Sequence, residues 1–126
     1  FLALERRALH ANLIQHLTQA SASSITWQAP GQGGPQMAPA LLCARLPSAA
    51  ARSALEQACQ QARITTRRWY QPLLHHMAVL QPQCMVLDTP NAQALAKTLL
   101  GLPFFPGMTQ EQYQRLTGVV GQTLNT

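Results

Sequence analysis

At residues 64–72 the sequence reads ITTRRWYQP, and this stretch decides the fold that we expect. Its β-branched and aromatic residues favour an extended strand over residues 64–70, which Pro72 ends. An alanine-rich helix, predicted over residues 49–62 with Ser48 as its N-cap, comes directly before this strand. A strand that follows a helix so closely indicates a chain in which both types of element are mixed.

Upstream of this helix, the sequence predicts one long helix and two short strands. Residues 1–20 contain neither Gly nor Pro, and their leucines recur at the helical spacing of four residues. Strands are expected at residues 25–28 and 41–46, separated by a loop that holds three Gly and three Pro. Because no capping residue precedes the first helix, we expect a chain that has been cut from a longer protein.

Two further helices are predicted downstream. Thr89 is expected to cap the first of them, which runs to residue 100 and is closed by Gly101. Thr109 and Gln112 have the spacing of a capping box for the last helix. Between the two helices, residues 102–107 are too rich in proline for a central strand.

The predicted order of elements is helix-strand-strand-helix-strand-helix-helix. This order is typical of an α+β fold in which helices pack on one face of a small, mostly antiparallel sheet. A chain of 126 residues is long enough for one compact domain, so we expect residues 1–126 to form a single domain.

The composition excludes several classes of protein. Apolar residues make up 47% of the chain and charged residues only 10%, which is not the composition of a disordered tail. No apolar stretch reaches the roughly 20 residues of a membrane span, and no secretion signal opens the chain. The net charge of +5 permits nucleic acid, phosphate or acidic partners without choosing among them.

The cysteine pattern favours a reducing compartment. The three cysteines are an odd number without a CxxC spacing, which argues against a disulfide framework and against a zinc site. We interpret Cys43, Cys59 and Cys84 as small apolar residues and expect a cytoplasmic protein.

Residues that could carry out catalysis are sparse. The four acidic residues fall in separate predicted elements, and Glu56 is expected on a solvated helix face. His10 and His16 lie on different helix faces, and the rings of His75 and His76 are expected to diverge. We therefore predict no catalytic residue and no metal site in this chain.

The densest group of functional side chains follows the predicted strand at residues 66–75. Along a strand, Arg67 and Trp69 share one face while Arg68 and Tyr70 share the other. Guanidinium groups bind phosphate bidentately, and aromatic rings stack on bases or sugars. From these residues alone, the cluster fits a binding module for single-stranded nucleic acid or a nucleotide, a dimerisation domain, or an edge strand whose aromatic rings belong to the core.

Two segments resemble those of a known family. Residues 66–75 (TRRWYQPLLH) resemble the TRRYYYPPLH stretch of the DegT/DnrJ/EryC1/StrS sugar aminotransferases, and residues 102–112 (LPFFPGMTQEQ) resemble their LPLYPGLTDEQ ending. The separation of the two motifs and the opening helix, with ERR at residues 5–7, are also similar. The resemblance covers essentially the whole chain, least closely at residues 29–40, and implies the small C-terminal domain of a fold-type-I aminotransferase.

The resemblance implies a dimeric enzyme that depends on pyridoxal phosphate (PLP) and transfers an amino group from glutamate to the keto sugar of a nucleotide sugar. Its cofactor lysine would belong to an upstream large domain, and Lys97, just before the LPFFPG motif, does not match that lysine. Residues 1–126 would then be the C-terminal small domain alone, without cofactor and inactive by itself. The implied partners are the upstream large domain, the nucleotide-sugar substrate and a second subunit; we expect neither a membrane nor a nucleic-acid partner.

The substrate-binding residues that the resemblance implies are His75, Tyr70, Arg67 and Arg68. His75 matches the histidine of the motif and would bond the sugar or its phosphates, and one of the two arginines would meet a phosphate. The residues at positions 71, 73, 76 and 77 differ from the family pattern, so the identity of the substrate stays open.

Overall fold

The structure is a computed structural model, which describes residues 2–28, 38–69 and 71–125. Four helices and three strands follow one another along these residues. They are α1 (Leu2–Ala20), β1 (Thr26–Trp27), β2 (Leu42–Arg45), α2 (Ala49–Gln61), α3 (Pro90–Thr98), β3 (Leu99–Leu102) and α4 (Gln110–Leu124). Two 3-10 turns, Leu74–His76 and Gln81–Gln83, interrupt the long connection between α2 and α3. Most of the predicted loop at 29–40 lies outside the described residues.

The three strands form an antiparallel sheet in the order β1-β2-β3. Leu42 of β2 pairs with Leu102 of β3, and Ala44 pairs with Leu100, so four buried side chains lie together on the inner face of the sheet. The predicted α+β class with a small antiparallel sheet is confirmed.

The helices cover this inner face and supply the rest of the core. α4 packs against both α1 and α2, and α2 also packs against α3. The buried apolar residues come from α1, β2, α2, β3 and α4 and from the residues next to the strands. They are Leu13, Leu17, Ile25, Leu42, Ala44, Leu46, Leu55, Cys59, Leu100, Leu102, Leu116 and Val120.

The strand predicted over residues 64–70 is wrong in extent. In the described part of this stretch only Arg67 pairs with the sheet, through an isolated antiparallel bridge to Gly101 on the outer side of β3. The bridge has two backbone hydrogen bonds, of 2.9 and 2.6 Å. In this register Thr65 falls opposite Pro103, which has no N–H to extend the ladder.

The prediction that the third helix continues to residue 100 is also wrong. α3 ends at Thr98, and the chain passes directly into β3, which lies between β2 and Arg67 in the sheet. Leucine-rich sequence suits a helix or a buried strand, and pairing with β2 decides between them here. Gly101, expected to close the helix, is a buried strand residue instead.

The capping predictions have mixed outcomes. The Ser48 side chain accepts a hydrogen bond from the Ala51 N–H, and Thr109 and Gln112 form the expected capping box. Thr89 precedes α3 but makes no capping bond through its side chain. All three cysteines are free; Cys59 is buried in the core, Cys43 is half-buried and Cys84 is exposed.

Candidate functional site

Arg67 and Trp69 form one half of the candidate site, on the outer side of β3. The Arg67 guanidinium carbon lies 5.6 Å from the centroid of the Trp69 ring, a cation–π arrangement. The two side chains therefore share a face, as strand alternation predicted.

A glycine in β3 makes room for this arrangement. A Cβ atom on Gly101 would lie 2.6 Å from Trp69 Cδ1 and 3.1 Å from the carbonyl oxygen of Arg67. Both distances are shorter than an ordinary van der Waals contact. The indole can therefore lie against β3 only because position 101 has no side chain.

Arg68 is directed to a different partner, Glu56 of α2. Its Nε donates to Glu56 Oε1 at 2.8 Å, and its Nη2 bonds Oε2, so the ion pair is bidentate. The hydrogen bond from Arg68 lowers the pKa of Glu56 and raises that of Arg68. Glu56 was expected only on a solvated helix face; its pair with Arg68 is set by the return of residues 64–68 along α2, which no local sequence pattern indicates.

His75 lies in the 3-10 turn Leu74–His76, beside His76. The two imidazole centroids are 4.3 Å apart and their planes make an angle of 65°, so the expectation that the rings diverge is wrong. The ring is half-buried, and its Nε2 is buried without a hydrogen-bond partner among the described residues. No contact described here joins His75 to Arg67 or Arg68, and Tyr70 lies outside the described residues.

Two grooves lie beside this segment. The larger, of about 560 Å³, is open and polar and runs between the second half of α2 and residues 63–66, where Glu56 is part of its wall. The smaller, of about 220 Å³, lies between residues 63–65, the segment after β3 and the start of α4. Neither groove includes His75 or Lys97 in its lining.

The described residues contain no cluster of three or more His, Cys, Asp or Glu side chains that could hold a metal ion. Within the same ranges, every helix is too short or too polar to cross a membrane. Lys97, the single lysine of the chain, is exposed in the last turn of α3 and does not offer the enclosed setting of a cofactor lysine.

Comparison with known proteins identifies a family that this chain matches. The model of the DegT/DnrJ/EryC1/StrS aminotransferase family matches residues 2–121. No curated protein matches the chain.

Solved structures match it closely in fold. A DegT DnrJ EryC1 StrS aminotransferase from Brucella abortus is 15% identical, with a TM-score of 0.71 over 96% of this chain and 32% of that one. The aminotransferase TlmJ from Streptoalloteichus hindustanus is 18% identical, with a TM-score of 0.75 over 94% and 31%. NtdA from Bacillus subtilis, solved with bound cofactor PMP, is 16% identical, with a TM-score of 0.78 over 98% and 28%.

This chain spans about a third of the length of each of these structures. At identities of 15–18% the likeness to them is one of fold. The family match is independent of that likeness and extends over nearly every residue from α1 to α4. The chain belongs to the DegT/DnrJ/EryC1/StrS aminotransferase family.

Proposed function

We propose that this chain is the C-terminal small domain of a PLP-dependent nucleotide-sugar aminotransferase that takes its amino group from glutamate. The observation that carries the proposal is the family match over residues 2–121, together with the coverage of only about a third of the matching structures. When bound, the cofactor supplies an electron sink and carries the amino group between the two substrates. We assign its binding to an upstream large domain, because Lys97 does not fit the role of cofactor lysine.

We propose that the segment at residues 67–75 closes one side of the substrate cleft. Arg67 and Arg68 bring positive charge to this segment, which suits the diphosphate of a nucleotide sugar. The Nε2 of His75 lacks a hydrogen-bond partner among the described residues, and we assign it a hydrogen bond to a sugar hydroxyl or a phosphate oxygen in the closed cleft. Tyr70 lies between these residues in the chain and completes the proposed set.

We propose that the long connection between α2 and α3 packs against the large domain of the same polypeptide. The connection between α2 and α3 exposes large apolar side chains, with Met85 91%, Leu87 77% and Val79 75% exposed. An apolar surface of this kind is unusual on an isolated domain and is expected where a second domain packs. We propose further that the complete enzyme is a homodimer.

The experiment is to read the coding sequence upstream of the Phe1 codon and to assay the polypeptide that it encodes. With PLP, glutamate and a panel of keto sugar nucleotides, we expect formation of 2-oxoglutarate by the extended polypeptide and none by the 126-residue chain. Sedimentation of the extended polypeptide tests the dimer. A start codon directly before Phe1 would refute the proposal and leave a free-standing binding module or a dimerisation domain.

A further inference from the structure

We propose that Arg67, held on the face of Trp69, is the residue of this segment that binds a phosphate group of the substrate, and that Arg68 is not. Trp69 would act as a positioning residue for Arg67. This inference rests on the proposed function for the source of the phosphate, which we take to be the diphosphate of a nucleotide sugar. It assigns different tasks to two adjacent arginines that the sequence does not distinguish.

Arg68 is already engaged with an anion of the chain itself. Both carboxylate oxygens of Glu56 are bonded by its guanidinium, through Nε and Nη2. A phosphate at Arg68 would have to displace this carboxylate or share its donors. The ion pair therefore withholds Arg68 from an external anion and anchors the segment to α2.

Arg67 differs from Arg68 in its partners, although both side chains are exposed. Within the described ranges, no carboxylate lies at ion-pair distance from its guanidinium. Its backbone is fixed to Gly101 by two hydrogen bonds, so the side chain projects from a set point at the edge of the sheet. Its side chain is exposed, and anions in solvent can therefore reach it.

The Trp69 ring restricts where the Arg67 guanidinium can lie. The Arg67 guanidinium carbon lies 5.6 Å from the ring centroid, within cation–π range, and this contact does not require a hydrogen bond from its N–H donors. Those donors can then bind two oxygens of one phosphate side by side. Because part of the side-chain freedom is lost before the anion arrives, less is lost on binding.

The test uses the 126-residue chain, with inorganic pyrophosphate as the probe. Arginine Nε–Hε signals in a ¹H–¹⁵N spectrum, assigned from the Arg67→Gln and Arg68→Gln variants, report on each guanidinium separately. We expect pyrophosphate to move the Arg67 signal and to leave the Arg68 signal in place. An Arg68 signal that moves instead, or an Arg67 signal that stays in place up to the solubility limit of pyrophosphate, would overturn the inference.

Affinities of variants give a second readout. Arg67→Gln should weaken pyrophosphate binding about tenfold or more, the usual effect of losing a charge-assisted hydrogen bond. Arg45→Gln, which removes the same charge from the exposed end of β2, is the matched control and should change the affinity about twofold at most. Glu56→Gln should release Arg68 and strengthen binding by up to about fivefold. Equal losses of pyrophosphate affinity for Arg67→Gln and Arg45→Gln would show that the effect arises from net charge alone and would overturn the inference.

The role of Trp69 is tested by a double-mutant cycle. Trp69→Leu should weaken binding about two- to fivefold when Arg67 is present and have no effect in the Arg67→Gln background. Trp69→Phe should restore part of the affinity because it keeps an aromatic face. A loss from Trp69→Leu that is the same in both backgrounds would show a general structural effect and refute the positioning role.

The source of the phosphate is distinguished by two further measurements. A diphosphate site should bind pyrophosphate more tightly than orthophosphate, and the reverse order would assign the site to a phosphate monoester and refute the diphosphate. Pyrophosphate binding at Arg67 without transamination by the extended polypeptide would refute the proposed function alone. Transamination with an unmoved Arg67 signal would refute this inference alone.

Discussion

The indole of Trp69 occupies the space that a side chain at position 101 would need. Trp69 Cδ1 would be 2.6 Å from a Cβ atom on Gly101, and the carbonyl oxygen of Arg67 would be 3.1 Å away. The close approach joins β3 to the segment that carries both arginines of the candidate site. The buried Gly101 therefore leaves room for the side chain of Trp69, which lies 32 residues earlier in the chain (101 − 69).

Gly101→Ala should therefore destabilise the fold by about 1–3 kcal/mol, since either the indole or the backbone of Arg67 must move. The matched control is Gly118→Ala in α4, where an added Cβ meets nothing within 4 Å. That change should stabilise by up to about 1 kcal/mol, because alanine is the better helix former. Urea unfolding measures both, and equal stability of the two variants would contradict the packing described for Trp69.

The pair between Glu56 and Arg68 should give the stability a dependence on acid pH. The hydrogen bond from Arg68 holds the pKa of Glu56 below its ordinary value of 4.5, so the unfolded chain binds the proton more readily than the folded one. The contribution is present above pH 4.5 and is lost as the pH falls through the lower, folded pKa. Because both side chains are partly exposed, it should amount to about 1 kcal/mol or less.

Glu56→Gln and Arg68→Gln should each remove this contribution at neutral pH and lose their effect once the pH falls below the folded pKa of Glu56, where the carboxyl group of the parent chain is also protonated. Free energies of unfolding across this range measure the effect. A cost that persists unchanged at low pH would assign the loss to packing instead of the ion pair.

The starts of α2 and α4 could be predicted because they depend on neighbouring residues. Ser48 caps α2, and Thr109 with Gln112 caps α4, since each side chain bonds an N–H within three residues. β3 could not be predicted in this way. Its leucines suit two kinds of element, and only its pairing with β2, more than 50 residues earlier, decides the outcome (Leu102 with Leu42).

The same distinction between local and distant contacts applies to the candidate site. The shared face of Arg67 and Trp69 follows from strand alternation and was predicted. The pairing of Arg68 with Glu56 depends on how the chain returns along α2, and the contact of the His75 and His76 rings depends on the turn between them. Neither contact has a signal in the residue spacing.

The two threonines predicted as caps should differ when replaced by alanine. Thr109→Ala removes a hydroxyl that accepts from the Gln112 N–H at 3.2 Å and should cost about 0.5–2 kcal/mol. Thr89→Ala removes a hydroxyl without a hydrogen-bond partner in the described structure and should cost less than about 0.5 kcal/mol. Thermal unfolding compares the two variants; a larger loss from Thr89→Ala would contradict the cap assignment.

The cysteines should react with iodoacetamide in an order that the structure sets. Cys84 is exposed, whereas Cys59 is fully buried and burial raises its pKa to about 11. At pH 8 the Cys59 thiol is therefore almost entirely protonated as well as inaccessible. Mass spectrometry of the native chain should find one fast adduct, on Cys84, which Cys84→Ser removes. Rapid modification of Cys59 before unfolding would contradict its place in the core.

The last prediction concerns the two adjacent histidines in the extended enzyme of the proposed function. His75 is half-buried with an unpartnered Nε2, whereas His76 is exposed in the same turn. His75→Ala should lower kcat/KM for the sugar nucleotide about tenfold, the effect of one lost hydrogen bond of ordinary strength, and leave the affinity for glutamate unchanged. His76→Ala is the matched control and should stay within about twofold of the parent enzyme. Equal effects of the two changes on kcat/KM, or a loss of affinity that extends to glutamate, would contradict the proposed place of His75 in the substrate cleft.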